Sequence, residues 1–244
     1  MKSSGSKLKS DIKLKAGLIG SGFAAKTLLF SSQQIHNFEV VGLFGGKLAP
    51  SVSADFNCKF YDNFEQLLDS GIHILLVASP HATHFDYAYR ALKAGLNVFV
   101  EKPFVPSLSE GLTLINCARE GNLKLSVNHF QRFRIPNDGA KRLLSEGVIG
   151  KIDSFDQRLV ENPQVKDWQR LPENLGFLFG YGVHAIDTIQ WVLSDRIVSV
   201  DAKCYRDITG IERCTSARLT LNSGISGTLF TSDFGLGQDS SGSR

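Results

Sequence analysis

Four cysteines, Cys58, Cys117, Cys204 and Cys214, are scattered along the 244 residues with no CxxC pair and no Cys/His spacing. That argues against a zinc site or a disulfide framework, and the four read as free thiols, buried or partly buried, in a reducing compartment. No apolar run is long enough to cross a bilayer, so no membrane partner is expected. The formal net charge of +3 is too small to imply nucleic acid. Part of that excess sits in a Ser/Lys-rich lead, where Lys2, Lys7 and Lys9 precede Lys13 and Lys15. Residues 1–12 read as a flexible tail, and they lack the apolar core of a secretory signal, which leaves the cytoplasm as the default location. His36, His73 and His129 have no partners at metal-ligand spacing, so no metal is expected. Neither Gly-x-Ser-x-Gly nor a Walker motif occurs, and hydrolase and kinase chemistry have no support.

What is present begins with Lys15-Ala16-Gly17-Leu18-Ile19-Gly20-Ser21-Gly22-Phe23-Ala24-Ala25. It reads as a short apolar strand turning on glycine into a helix. Gly20 permits the tight turn, Gly22 lets a pyrophosphate approach the backbone, and Ala25 lets helix and strand pack closely. The plain alternative is an ordinary Gly-rich corner, and context favours the dinucleotide reading. At the end of the next strand, Glu39–Phe44, such folds usually carry an acidic residue for the adenosine ribose. Here Phe44, Gly45 and Gly46 are followed by Lys47, and Glu39 stands at the wrong end. With no carboxylate to repel a 2′-phosphate and Lys47 available to pair with one, NADP is favoured over NAD. The alternative is that Lys47 is only a solvated loop lysine.

Further along, Asp62 reads as the N-cap of a helix over Asn63–Leu68. His73–Ala78 reads as a central strand buried on both faces, ending in Ser79-Pro80-His81 at the sheet's carboxyl edge. A helix over Thr83–Ala94 and a strand over Asn97–Val100 then deliver Glu101-Lys102-Pro103 to the same edge. Ser107 and Glu110 form a capping box before another helix, and Lys124–Val127 is one more strand. This alternation predicts a doubly wound parallel sheet over residues 13–128. From 129 to 244 the pattern changes. A helix over Ala140–Glu146, a strand over Ile152–Leu159 and a helix over His184–Leu193 precede three strands, Val198–Tyr205, Cys214–Leu221 and Ile225–Phe234, the last two joined by the hairpin signal Asn222-Ser223-Gly224. The expectation is a second, α+β domain with a mostly antiparallel sheet and a frayed Gly/Ser-rich end over 237–244.

The motifs resemble the glucose–fructose oxidoreductase, inositol dehydrogenase and rhizopine catabolism family of sugar and polyol dehydrogenases. Those that carry the resemblance are the glycine corner with Lys26 and Thr27, Ser79-Pro80 with His84, Glu101-Lys102-Pro103, Gln131-Arg132-Phe133, Gly147-Val148-Ile149-Gly150, Asp167-Trp168-Gln169-Arg170 and Gly182-Val183-His184-Ala185-Ile186-Asp187. The resemblance implies a Rossmann domain followed by an α+β domain, and hydride transfer between a nicotinamide and a secondary-alcohol carbon of a sugar or cyclitol. It implies Lys102 and His184 as catalytic candidates. Gly20, Ser21, Gly22, Phe23, Ala24, Lys47, Ser79, Pro80, His81, His84, Glu101, Lys102, Trp168 and Arg170 are implied on the cofactor side. Lys102, Asn128, Arg132, Tyr181 and His184 are implied on the substrate side. For Lys102 the plain alternative is a surface lysine paired with Glu101, and for His184 a structural histidine.

Two departures stand out. Cyclitol-oxidising members carry an aspartate four residues before the histidine, and here that position is Gly180; Tyr181 is a possible substitute partner. Family members also usually continue beyond the point where this chain stops, so the second sheet is expected to be shortened after the Ile225–Phe234 strand, with an unpaired apolar strand edge there: either the chain is truncated or another subunit covers that region. Family habit implies a homodimer or homotetramer. A catalytically silent dinucleotide- or sugar-binding protein is the rival reading. Both require the glycine corner and Lys102 to lie along one rim of the sheet.

Overall fold

The computed structural model describes residues 13–161 and 176–233. The chain splits into two compact units between Asn128 and His129. The N-terminal tail 1–12, the segment holding Lys166, Trp168 and Arg170, and the Gly/Ser-rich end lie outside the described residues.

The first unit alternates strand and helix: β1 (Leu14–Ile19), α1 (Phe23–Ser32), β2 (Phe38–Phe44), α2 (Ala49–Asp55), β3 (Lys59–Tyr61), α3 (Phe64–Leu68), β4 (Ile74–Val77), α4 (His84–Lys93), β5 (Asn97–Glu101), α5 (Leu108–Glu120) and β6 (Leu125–Asn128). The strands form one sheet in the order β3-β2-β1-β4-β5-β6, every pair parallel. One face buries Ala16, Leu18 and Leu76 against Ala25, Leu29 and Val52. The other buries Ile19, Leu75, Val77, Val98 and Val100 against Leu67, Ala88, Leu92 and Leu114. Helices on both faces explain why β1 and β4 read as unbroken apolar runs. The winding direction reverses between β1 and β4, which opens a crevice at the carboxyl ends of those strands.

Local signals hold with small shifts. Ser107 and Glu110 complete the predicted capping box of α5. The cap of α3 is Asn63 rather than Asp62: the Asn63 side chain accepts from the Glu65 amide at 2.7 Å. The predicted helix from Thr83 divides into a 3-10 turn, His81–Thr83, and α4.

The second unit begins with a 3-10 turn, Phe130–Phe133, and α6 (Ile135–Ser145). This helix starts five residues earlier than expected, because Pro136 sits in the first turn, where its missing N–H costs nothing. Strand β7 (Ser154–Val160), a π-helical turn (Leu178–Gly182), α7 (Val183–Leu193), β8 (Ile197–Arg206), β9 (Glu212–Leu221) and β10 (Ser226–Ser232) follow. The sheet order is β7-β10-β9-β8. Both β8 and β10 run antiparallel to β9, while β10 is parallel to β7. Ala185 and Ile189 of α7 pack on Ala217, Leu219, Leu221 and Leu229. The expectation that the last strand is an unpaired edge is overturned. β10 pairs over its whole length with β7 on one side and β9 on the other, so the edges are β7 and β8. Among the described residues no helix is long and apolar enough to cross a membrane.

Candidate functional site

The glycine corner is built as its residues dictate. Gly20 has φ +105°, and a Cβ there would lie 2.3 Å from the carbonyl oxygen of Ala78. Its amide donates to the carbonyl of Phe44 at 2.8 Å. Only glycine fits between the exits of β2 and β4. Gly22, the N-cap of α1, is extended at φ −81°, ψ −166°. A Cβ on it would meet nothing within 4 Å, so its role is open approach rather than conformation. No side chain caps α1 and its first turn has no acidic residue. Ala25 is fully buried, the close helix–strand contact expected of a third small residue. An uncapped N-terminus on a ten-residue helix beside open space suits an anion such as a pyrophosphate. Phe23 is 80% exposed beside it, and Ala24 is half-buried.

Ser21 is buried, and its hydroxyl accepts from the Leu48 amide at 3.3 Å. Gly46, at φ +90°, passes so close that a Cβ would lie 2.2 Å from Ser21 Oγ. The glycine pair after β2 thus lets that loop pack on the corner. Lys47 is exposed on it. Glu39 pairs with Lys13 at 2.7 Å, at the start of β2 and away from the loop.

Registers Ile19↔Val77 and Val77↔Val100 place the exits of β1, β4 and β5 side by side. The glycine corner, Ser79-Pro80 and Lys102 therefore share one rim, with corner and lysine two strand spacings, roughly 10 Å, apart. The Lys102-Pro103 peptide is cis, and Lys102 is half-buried. Glu101 is buried. Its Oε1 accepts from Asn128 Nδ2 at 2.6 Å and its Oε2 from the Lys102 amide at 3.2 Å. Burial pushes the Glu101 carboxyl above the usual glutamate range, against the Asn128 bond and the Lys102 charge. Asn128, expected on the substrate side, is committed through its amide group to Glu101.

His84 departs from its expected cofactor contact. It is fully buried, with Nδ1 2.9 Å from the Pro103 carbonyl and Nε2 2.9 Å from the Ser79 carbonyl. Burial lowers its pKa, outweighing those carbonyls. Both ring nitrogens face main chain, so His84 ties the β4 exit to the Lys102-Pro103 turn rather than reaching a ligand. His81 is also buried, its ring edge-on to His84. Thr83 Oγ1 donates to Ser79 Oγ at 2.7 Å, closing this turn.

In the second unit His184 opens α7, half-buried, with its ring edge-on to Phe130 at 5.0 Å. Gly180 and Gly182 are buried in the preceding π-helical turn. A Cβ on Gly182 would lie 2.7 Å from Leu178 Cδ1. The Tyr181 ring stacks on Phe177 at 5.1 Å. Arg132, expected to meet substrate, instead donates from Nε and Nη2 to the two oxygens of Asp187, at 2.9 and 2.5 Å. His129 Nδ1 lies 3.6 Å from the same carboxylate. Asp187 is thus the hub of this corner, in keeping with a structural role.

Sequence reasoning missed Glu212. It is buried, and its carboxylate accepts from the Leu178 amide at 2.6 Å and the Thr215 hydroxyl at 2.7 Å, anchoring the π-helical turn. No local pattern marks it, because its partners lie 34 and 3 residues away. A cavity of about 530 Å³ opens beside it, lined by Leu178, Phe179, Val183, Ile186 and Ile211. None of Arg132, Tyr181 or His184 lines it. No cluster of residues suited to a metal occurs among the described residues.

Residues 14–129 match an oxidoreductase family with an NAD-binding Rossmann fold, and residues 138–240 match the GFO/IDH/MocA C-terminal domain. Glucose-6-phosphate 3-dehydrogenase of Bacillus subtilis (strain 168) is 27% identical over 205 residues, 80% of this chain and 58% of that protein. Several curated relatives are spanned over only about half their length. GenD2 from gentamicin A biosynthesis, solved with NAD, shares the fold with a TM-score of 0.88 at 21% identity, over 93% of this chain and 68% of that one. A putative myo-inositol dehydrogenase from Sinorhizobium meliloti 1021 superposes with a TM-score of 0.79 at 20% identity, over 90% of this chain and 69% of that one. With both halves matched in the family's order, and the glycine corner and Lys102 on one rim, the chain belongs to the GFO/IDH/MocA oxidoreductase family.

Proposed function

We propose that this protein is an NADP-preferring oxidoreductase that interconverts a secondary alcohol and a ketone on a sugar, inositol or related polyol. The observation that carries the reading is the uncapped α1 N-terminus with open space at Gly22, on the same rim as Lys102. When bound, the dinucleotide supplies hydride transfer. The chain's own part is to hold it and to move a proton. The α1 amides and the Gly22 backbone take the pyrophosphate. Lys102, half-buried and backed by the buried Glu101 with its Asn128 partner, exchanges the proton of the substrate hydroxyl. His184 is the second candidate for proton exchange, on the family pattern. The NADP preference is supported by Phe44, Gly45, Gly46 and Lys47, which offer a 2′-phosphate no like charge and one exposed lysine, while Glu39 is engaged elsewhere.

Dissociation constants for NADPH and NADH, followed by turnover across a panel of sugars, phosphosugars and inositols, test this. Tighter NADH binding overturns the preference, and binding without turnover at high protein concentration overturns the enzymatic reading. A second reading, a dinucleotide-binding protein without turnover, is favoured by one observation. Gly180 offers no carboxylate to His184, and Asp187 is committed to Arg132. Gly180→Asp separates the two: a rise in turnover marks a working site that lacks its carboxylate.

A further inference from the structure

The His84 ring faces more acceptors than it has protons. Its Nδ1 lies 2.9 Å from the Pro103 carbonyl oxygen and 3.3 Å from that of Phe104, while Nε2 lies 2.9 Å from that of Ser79. A carbonyl oxygen only accepts, and a neutral imidazole carries one N–H. One ring nitrogen is then bare, its lone pair set against a carbonyl lone pair. A charged ring would serve both sides. However, the side chain is fully buried, and burial, joined by the Lys102 charge, lowers its pKa against the pull of the carbonyls. No carboxylate bonds the ring among the described residues. His81 stands edge-on to it at 5.8 Å. Glu101, beside Lys102, accepts from Asn128 and from the Lys102 amide. On α4 itself Asp86 pairs with Arg90, and on α5, packed against α4, Glu110 is turned to Ser107. The ring is therefore neutral at neutral pH, and its single proton has two possible seats.

We propose that His84 is a positioning residue for Lys102, held as the Nδ1–H tautomer and clamped to the turn that carries the lysine. Two acceptors stand at Nδ1 and one at Nε2. A proton on Nδ1 is shared between the Pro103 and Phe104 carbonyls. A proton on Nε2 satisfies Ser79 alone and sets a bare nitrogen against two carbonyls. The environment thus reverses the preference of a free neutral histidine, which favours Nε2–H. Pro103 and Phe104 directly follow Lys102, so the clamp fixes the main chain immediately beyond the residue that bears the ammonium. On the other side, the bond to the Ser79 carbonyl at the β4 exit forms only when a second proton reaches Nε2. His84 touches neither substrate nor cofactor in this role. It acts through the turn, and its effect on chemistry rests on the reading of Lys102 as the proton-exchanging group. The seat of the ring proton does not depend on that reading.

Long-range ¹H–¹⁵N correlation spectra of the full chain, labelled with ¹⁵N-histidine, test the tautomer, the His84 signals being assigned by their loss in either variant below. At neutral pH the expected pattern is a protonated Nδ1 and a bare Nε2. An Nε2–H ring, or a doubly protonated ring at neutral pH, overturns the proposal. Two amide variants test the positioning. Asn places its amide nitrogen near the station of Nδ1, and Gln near that of Nε2. His84→Asn therefore keeps a donor toward the Lys102 turn, while His84→Gln offers one to Ser79 instead. With saturating NADPH and a sugar, phosphosugar or inositol that is turned over, kcat of the Gln variant falls roughly 10- to 100-fold below that of the Asn variant, as expected for a displaced reacting group. NADPH affinity stays equal in the two. Equal kcat values, or a difference confined to KM, overturn the proposal. Thermal melts check that both variants fold, and where one does not, the wild-type spectrum decides. A wild type that binds NADPH without turnover removes the oxidoreductase reading alone, and the same spectrum then decides the clamp by itself.

Discussion

The Asp187 carboxylate holds the Arg132 guanidinium through two hydrogen bonds, and Arg132 belongs to the same 3-10 turn that sets Phe130 against the His184 ring. Asp187 is 11% exposed and Arg132 40% exposed at their side chains, so solvent screens the pair only in part. Asp187→Asn is expected to lower stability by about 1–2 kcal/mol, below the full value of a buried charged bond because of that exposure. Urea unfolding checks this. In the enzymatic reading the variant also loses turnover without losing NADPH affinity, since the glycine corner lies in the other unit.

Two glycines two residues apart in the corner predict opposite phenotypes. Gly20→Ala places a Cβ against the Ala78 carbonyl at a positive φ, and is expected to destabilise the first unit by on the order of 3 kcal/mol. Gly22→Ala meets no atom and has an ordinary φ, so its stability is expected within about 0.5 kcal/mol of wild type. Its NADPH affinity is expected to fall instead, as the new methyl group enters the space proposed for the pyrophosphate. Thermal melts and fluorescence titration separate the two.

Glu101 gives a pH signature. Burial raises its pKa, so above the ordinary glutamate value of 4.5 the folded protein binds more protons than the unfolded chain. The contribution of Glu101 to stability is then greatest below 4.5 and is lost as pH rises through the raised folded value. Asn128→Ala removes a bond to the charged form and is expected to steepen that loss, whereas Glu101→Gln removes the titration. Unfolding free energies across the acidic range, compared among the three proteins, test the sign.

Lys102→Ala is expected to cut turnover by about 10²–10⁴ while dinucleotide affinity is retained, since the α1 terminus is untouched. Stopped-flow turnover and NADPH titration check it, and rates equal to wild type would remove Lys102 from the proposed chemistry.

The first unit was legible because its signals are local and its strands doubly buried. Val77, Val100 and the glycine corner could be assigned to one rim from strand order alone. The short β3 and α2 left no such trace, since three and seven residues carry too little periodicity. What the sequence misjudged was commitment. His84, Asn128 and Arg132 are of the residue types that meet ligands, yet each is occupied by a partner 19 to 55 residues away. The parallel pairing of β10 with β7 was likewise invisible, because it joins segments separated by 72 residues.

The imidazole of His84 sits between the Ser79 carbonyl at the β4 exit and the Pro103 carbonyl of the lysine-bearing turn. Because those carbonyls exist whatever side chains surround them, the turn keeps its station by architecture rather than by neighbourhood. Side chains around that turn can therefore change without the turn itself having to be rebuilt.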